Sequence, residues 1–292
     1  MAKARELKRR IRSVENTRKI TRTMEMVSTS KLKRAQDRVV GARPYAQALA
    51  EVLGDLYSPV LAERFPLLRQ PGAVKRVGLL LVTSNRGLCG AFNANLIREA
   101  RRRIQALERS GAQVDLHLVG KKGVTFFKFS KRPVASQRID IADRPSTAHA
   151  AEIVAPLIEQ FETGRLDAVE LVFAKFNSAV STPATVLRVL PVEVGKVGKS
   201  EGAAPSANYI LKPSAEAILE KLLPLYVRNQ VYRALVETAA AEHGARRTAM
   251  KNATDNAGEM LDILRRTYNR ARQAQITQEL AEIVGGAEAL RG

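Results

Sequence analysis

Leu32, Ala35, Val39, Ala42, Ala46, Leu49, Leu53 and Leu56 are separated alternately by three and four residues. That spacing keeps one apolar stripe facing a partner along a left-handed coiled coil. A stripe this narrow cannot enclose a core by itself, so the chain must supply something to cover it. Upstream, Leu7, Ile11 and Val14, then Ile20, Met24 and Val27, repeat the spacing in shifted phase, a pattern that alters the winding locally. Pro44 predicts a kink or local break, not an end, because the seam continues in phase on both sides. A continuous helix from Glu6 to Leu56 would extend roughly 75 Å at ~1.5 Å per residue.

The far end of the chain offers the cover. Pro213 and Ser214 give a stop and an N-cap ahead of AEAILEKLL, Pro224 is expected to open a fresh helix, and no proline follows it. Unbroken to Ala289, that helix would run roughly 100 Å. From Thr238 to Gly258 it is rich in Ala and poor in large apolar residues, which permits close approach but no thick core. Ile276, Leu280, Ile283, Ala287 and Leu290 resume the three-four spacing. Two narrow stripes at opposite chain ends are buried most economically against each other, as an antiparallel coiled coil.

The middle has another texture. Lys75 to Thr83 reads as a buried strand, Asn93 to Ser110 as an N-capped helix, Val114 to Val119 as a strand and Gly123 to Phe129 as a short helix. Ser146 to Thr163 reads as a helix broken or kinked near Pro156, followed by strands over Ala168–Phe176 and Thr185–Leu190. Strands alternating with helices predict an open, mainly parallel α/β sheet. The organisation expected is a coiled-coil helix over 1–58, a Rossmann-like α/β domain over 74–194 and a returning coiled-coil helix over 208–292, with 195–207 as a linker.

Charge separates this chain from an average globular protein. Lys and Arg number 48 against 29 Asp and Glu, a net charge of +19 over 292 residues, which calls for an acidic partner. Through Val40 alone there are thirteen Lys or Arg against four acids, flanking the seam on both sides. Acidic protein or nucleic-acid phosphate could sheath such a rod. Aromatics at 5% with no Trp argue against a base-stacking single-strand binder. Cys89 is the only cysteine and His117, His149 and His243 are far apart in sequence, so no metal-ligand spacing is present. The basic start lacks the apolar stretch of a secretory signal, and no apolar run approaches the ~20 residues a membrane span needs.

Candidate chemistry is sparse. Thr83-Ser-Asn-Arg-Gly-Leu-Cys-Gly-Ala-Phe-Asn93 follows a strand and opens a helix, the context in which α/β folds cradle phosphates. GxGxxG and GxxxxGK[ST] are both missing, and a tight turn at Gly87 and Gly90 is the simpler reading. Cys89 has no neighbouring His to activate it. His117 and His243 read as structural or solvated, and the pairs Asp140/Asp143 and Glu279/Glu282 lack a general-acid partner. Catalytic residues are expected to be none.

Four segments bring a family into view: Ile11–Lys33 (IRSVENTRKITRTMEMVSTSKLK), Ser84–Asn93 (SNRGLCGAFN), Glu242–Leu261 (EHGARRTAMKNATDNAGEML) and Ile276–Ala289 (ITQELAEIVGGAEA). Together, in this order, they resemble the γ subunits of F-type ATP synthases over nearly the whole chain. The resemblance implies the fold just described and the role of a central rotor stalk. Such a stalk turns inside a hexamer of α and β subunits and stands on the membrane ring of c subunits beside ε, coupling ion flow to ATP synthesis or hydrolysis.

By the same resemblance, Met24, Arg246, Gln273, Thr277, Glu279 and Glu282 occupy the coupling region near the acidic lever of β, where Arg246 would make charge-assisted contacts and Glu279 and Glu282 would organise nearby polar groups of the rotor. Leu7–Lys33 would pair with Ile276–Leu290, and Tyr209 and Lys212 would lie near the c-ring end. No cofactor or metal is expected on this chain; Mg-nucleotide sites would belong to α and β. Partners implied are α, β, ε, δ and the c-ring, with one copy per complex, no nucleic acid, and a peripheral position on the cytoplasmic face of a bacterial inner membrane. Asn85 stands where the family often has Asp, Ala91 where a second Gly is common, and Gly244, Arg247 and Thr248 replace a more apolar stretch. With Cys89 alone, the chain lacks the pair of thiols needed for the dithiol switch of the thylakoid form. A basic helical nucleic-acid binder is the alternative, and a small α/β enzyme using the Gly87–Gly90 loop a weaker one.

Overall fold

A computed structural model describes residues 2–56, 64–141, 143–192 and 214–289. Tyr209, Lys212, the expected linker 195–207 and Leu290 lie outside the described residues.

Helix α1 runs Ala2–Leu56 without interruption, with Pro44 inside it. After a 3-10 turn at Pro66–Leu68 come β1 (Arg76–Val82), α2 (Phe92–Arg109), β2 (Gln113–Val119), α3 (Lys121–Phe129), β3 (Ser136–Arg138), α4 (Thr147–Glu162), β4 (Ala168–Ala174), β5 (Ala184–Leu190) and α5 (Ala215–Ala289). The sheet order is β3-β2-β1-β4-β5. β1 pairs parallel with β2 and β4, β2 parallel with β3, and β5 closes one edge antiparallel to β4. Long terminal helices and a mainly parallel inserted sheet are therefore present as expected.

Several local expectations change. Pro224 does not open a new helix: α5 starts at Ala215 and passes through it. Leu219, Leu223, Tyr226 and Val227 are all buried on either side of the proline, so one unbroken helix buries more apolar surface than a restart would. Ser214 does cap the start, its Oγ accepting from Ala217 N at 3.2 Å. Asn93 is not the N-cap of α2, which starts at Phe92 after Ala91; its amide is committed to the preceding loop. Pro156 lies inside an unbroken α4, which begins with a reciprocal cap between Ser146 and His149. The three-residue β3 and the 3-10 turn were too short to show any period.

Two compact units divide the chain: residues 1–28 with 246–292, and residues 29–245. In the larger unit the predicted seam is buried except at the half-buried Ala42: Leu32, Ala35, Val39, Ala46, Leu49, Leu53 and Leu56 are at most 9% exposed. Leu32, Ala35 and Val39 pack with Leu79, Leu81, Phe92 and Leu96 of the α/β domain and with Val236, Ala240 and Ala241 of α5. Leu49, Leu53 and Leu56 join Leu157, Phe161, Leu219, Leu223 and Val227 around the opposite face of the sheet. The stripe is thus covered by α5 and the α/β domain together. Close approach of chain segments is visible at Gly120, where φ is +98° and an added Cβ would lie 2.1 Å from Thr83 O.

The smaller unit is antiparallel. Thr21 meets Thr254, Arg18 lies beside Gly258, and Glu15 pairs with Arg265; as one number falls the other rises. Its buried side chains are few: Thr21, Ser28, Arg246, Met250, Thr254, Ala257 and Leu261. The expected pairing of Ile276–Leu290 with α1 is not what this register gives. Residues 15 and 265 already face each other, so position 276 lies level with the very start of α1, and Ile276, Leu280, Ile283 and Val284 are between 48% and 68% exposed.

Candidate functional site

The loop after β1 is closed on itself. Asn93 Oδ1 accepts from Ser84 N at 3.0 Å while its Nδ2 donates to Ser84 Oγ at 2.8 Å and approaches Cys89 Sγ at 3.2 Å. Ser84 Oγ in turn donates to Arg86 O at 2.6 Å. Gly90 has φ +59° and is the turn's left-handed position, joined by Leu88 at +61°, whereas an added Cβ at Gly87 would meet only ordinary contacts with Lys122. Cys89 is 2% exposed, the common fate of a structural thiol. A loop whose Ser84 amide is already taken by a side chain is a folded turn, and it holds none of the lysine geometry of a phosphate loop.

Asn85 explains its own departure from the family pattern. Its Nδ2 donates to Ile139 O at 3.0 Å and Ile141 O at 2.8 Å, and its Oδ1 accepts from Lys121 N at 2.8 Å. Aspartate could make only the last of these.

Asp143 gathers Lys31, Arg86 and His243 from three other segments. Lys31 Nζ lies 2.5 Å and Arg86 Nη2 3.7 Å from its Oδ2, and His243 Nε2 is 3.9 Å from Oδ1. Burial pushes this carboxyl up, but the Lys31 hydrogen bond and the charges of Arg86, His243 and Lys31 outweigh it and hold it below the usual carboxylate range. The cluster ties α1 and α5 to the α/β domain at one level. Nothing in the spacing of positions 31, 86, 143 and 243 could have announced it.

Further along α5, Glu237 Oε2 accepts from Phe176 N at 3.1 Å and Thr238 Oγ1 from Ala174 N at 3.3 Å. Two amides left over at the end of β4 are thereby satisfied by the helix that crosses it. One turn and a half on, Gly244 sits so close to the β4–β5 turn that an added Cβ would be 3.1 Å from Ala179 O. A side chain at this position would have to push the turn back by a few tenths of an ångström. Burial lowers the pKa of His117 despite the attraction of Asp115; its Nδ1 is 2.7 Å from Ser136 Oγ, and its buried Nε2 has no hydrogen-bond partner among the described residues.

The residues expected at a coupling region all lie in the smaller unit, but they do not form one cluster. The Thr21–Thr254 register puts half-buried Met24 across from residue 251, with the buried Arg246 little more than a turn away. Gln273, Thr277, Glu279 and Glu282 are exposed. They follow Arg246 on the same helix by 27 to 36 residues, roughly 40–55 Å. Glu279 and Glu282 accept from Gln275 Nε2 at 2.8 Å and Gln278 Nε2 at 2.9 Å on their own stretch of helix. Between the two groups lies a crevice of about 390 Å³ lined by Glu15, Arg18, Lys19, Arg22, Leu261 and Arg265, with more cations than its single acid neutralises.

Among the described residues, no group of three or more His, Cys, Asp or Glu is placed to hold a metal, and no helix is long and apolar enough to cross a membrane. Two long helices that bracket an α/β domain in the sequence, with polar networks that tie helix to sheet, define the class as an α/β domain inserted between long terminal helices. Residues 3–290 match the family model for ATP synthase, and the chain belongs to the ATP synthase gamma-chain family. It is 64% identical over 292 residues, all of both chains, to the ATP synthase gamma chain of Gemmatimonas aurantiaca. It is 43% identical over 290 residues to that of Leptospira biflexa, covering 99% of this chain and 100% of the relative. Among solved structures, it is similar to a chain of the central stalk and c-ring of the Tetrahymena thermophila mitochondrial ATP synthase, with a TM-score of 0.62 and 26% identity over 80% of this chain and 99% of the other. A chain of the Euglena gracilis mitochondrial enzyme shares the fold at a TM-score of 0.69 and 20% identity, covering 99% of this chain and 95% of that one.

Proposed function

We propose that this gamma chain is the central rotor stalk of a bacterial F-type ATP synthase, carrying torque between a membrane ring of c subunits and a catalytic hexamer of α and β. The observation that carries the reading is the end-to-end 64% identity to an ATP synthase gamma chain. Support comes also from the two bracketing helices and from the similarity to a central-stalk chain. In this reading the chain is one copy per complex, contacts ε and the c-ring as well as α and β, with δ elsewhere in the assembly, and is peripheral on the cytoplasmic membrane face. It has no catalytic site or cofactor of its own, the Mg-nucleotide sites lying on α and β.

The physical content of the role is differential binding. A shaft whose faces differ stabilises one β conformation over another at each angle, so rotation moves nucleotide affinity from site to site. Met24 and Arg246 on one side, and Gln273, Thr277, Glu279 and Glu282 much further along α5, are two separate contact levels with the hexamer. Tyr209 and Lys212 belong to the c-ring end. The full-length family match gives the nucleic-acid-binding alternative no support.

The test is to reconstitute the complex in vesicles and measure ATP hydrolysis and proton pumping separately for Arg246→Ala and for the double variant Glu279→Gln/Glu282→Gln. Each level is expected to lower pumping per ATP hydrolysed, and the two defects should add because the groups do not touch. Normal coupling in both would remove the assignment of these residues. Failure of the chain to assemble with α, β and c subunits would remove the rotor reading itself.

A further inference from the structure

Residues 121–132, KKGVTFFKFSKR, hold Lys121, Lys122, Lys128, Lys131 and Arg132 with no acid among them, and three of the eight Phe of this aromatic-poor chain. The segment is α3 and its C-terminal turn. Gly123, Val124 and Phe127 face the sheet and are buried. The remaining face of the helix reads Lys121, Lys122, Thr125, Lys128 and Phe129, all exposed. Phe129 is 87% exposed, a whole phenyl ring in water between lysines. Arg132 is engaged by Glu108 at 2.5 Å, and no ion pair among the described residues involves the four lysines. The neighbouring helix α2 adds exposed Arg98, and Arg101, whose guanidinium carbon lies 5.9 Å from the centre of the Phe126 ring.

The helix ends unusually. Lys131 takes φ +53°, the left-handed position at which helices normally place glycine, while Arg132 N closes the turn onto Phe127 O at 3.1 Å. A lysine is kept where the backbone favours a residue without a side chain.

We infer that the outer face of α3, with Phe129 at its centre, docks onto an anionic lipid surface. A protein partner would bring several apolar residues together at the centre of its contact, and here one ring stands alone among cations. Duplex phosphate would use the lysines but offers nothing to a phenyl ring on a convex helix, and a single strand stacks its successive bases on several aromatic platforms where this face exposes one ring. An anionic bilayer satisfies both: headgroups take the lysines, and the apolar phase just beneath them takes a single ring. The four unpaired lysines meet the count at which such clusters hold acidic headgroups. The inference is independent of the rotor reading, since it rests on the chemistry of this one face.

The chain contains no Trp, so Phe129→Trp creates a single fluorescent reporter at the proposed contact. Val180→Trp, at a second position that is 89% exposed, serves as the comparison. With full-chain protein and vesicles of phosphatidylcholine and phosphatidylglycerol, the reporter at 129 should shift to shorter wavelength and be quenched by bromine-labelled acyl chains. The reporter at 180 should not, and phosphatidylcholine alone should move neither. Replacing Lys121, Lys122, Lys128 and Lys131 by Gln in the Phe129→Trp chain should weaken binding by about fivefold per lysine. Four Gln replacements at Lys3, Lys8, Lys19 and Lys33, which remove the same net charge elsewhere, should weaken it distinctly less. Equal quenching at 129 and 180, equal loss from both sets of replacements, or a shift produced by polyglutamate or duplex DNA but not by vesicles would each overturn the proposal.

Discussion

Thr254 donates its hydroxyl to Thr21 across 2.8 Å at the centre of the smaller unit, where both side chains are at most 9% exposed. The same Oγ lies 2.8 Å from Met250 O, and Thr21 Oγ1 bonds Arg18 O at 3.1 Å. Two long helices thus meet through a pair of hydroxyls: Thr21 donates to its own backbone, and the single Thr254 proton has both Thr21 Oγ1 and Met250 O within reach. A contact of this kind sets register while keeping the interface thin.

Thr254→Val should destabilise the chain by about 1 kcal/mol, because it removes the donor and leaves Thr21 underpaired. The double variant Thr21→Val/Thr254→Val should recover most of that loss, since replacing both partners leaves no unsatisfied group. Urea unfolding across the double-mutant cycle gives the coupling; additive losses would show that the two hydroxyls act separately.

Glu170 is buried on β4, its side chain 2% exposed, with Arg103 Nε and Nη2 each at 2.5 Å and Arg188 Nη2 at 3.3 Å. Removing the two-pronged partner with Arg103→Gln should cost about 3 kcal/mol, because a buried carboxylate is left with one weaker contact. Arg188→Gln should cost clearly less. The order of the two losses in denaturant unfolding is the decisive reading.

Glycine to alanine inside a helix ordinarily stabilises by about 0.5–1 kcal/mol. Gly258→Ala should show that gain, because its nearest neighbour is the flexible end of Arg18 at 3.9 Å. Gly244→Ala should show none, or a loss, because its Cβ would press on backbone Ala179 O at 3.1 Å. Thermal denaturation of the two variants side by side separates helix propensity from the seating of the β4–β5 turn.

His117 is held neutral by burial, its pKa lowered from the ordinary value near 6.5. The unfolded chain therefore takes up a proton at a pH where the folded chain does not, and stability rises with pH through this window. The contribution is full above pH ~6.5 and declines as pH falls below it, with a slope of at most about 1.4 kcal/mol per pH unit. His117→Gln should flatten the dependence of unfolding free energy on pH just below the ordinary histidine value near 6.5, and an unchanged slope would assign it to another group.

The three-four spacing from Leu32 to Leu56 was legible because burial on a helix repeats, and every large residue of that seam is buried. Strands β1 and β4 were legible for a different reason, as short continuous apolar runs that are buried almost throughout. The exposed seam of Ile276, Leu280 and Ile283 was misread as internal, since periodicity records that a stripe is apolar and not what covers it. Pro224 was misread because its local cost was set against a packed stripe of Leu219, Leu223 and Val227 that only the fold displays. The candidate coupling residues came from resemblance to a family, and their separation along α5 needed only the rise of a helix, once that helix was known to be unbroken.

Sequence alone determined two long apolar stripes, an α/β middle and a basic surface, because each is written in the order of neighbouring residues. The tertiary structure decided the register of Thr21 on Thr254, the gathering of Lys31, Arg86 and His243 on Asp143, and the seat of Ala179 on Gly244. Those depend on residues 57 to 233 positions apart, and contacts at such separations are chosen by the packing of the whole chain, not by any local pattern.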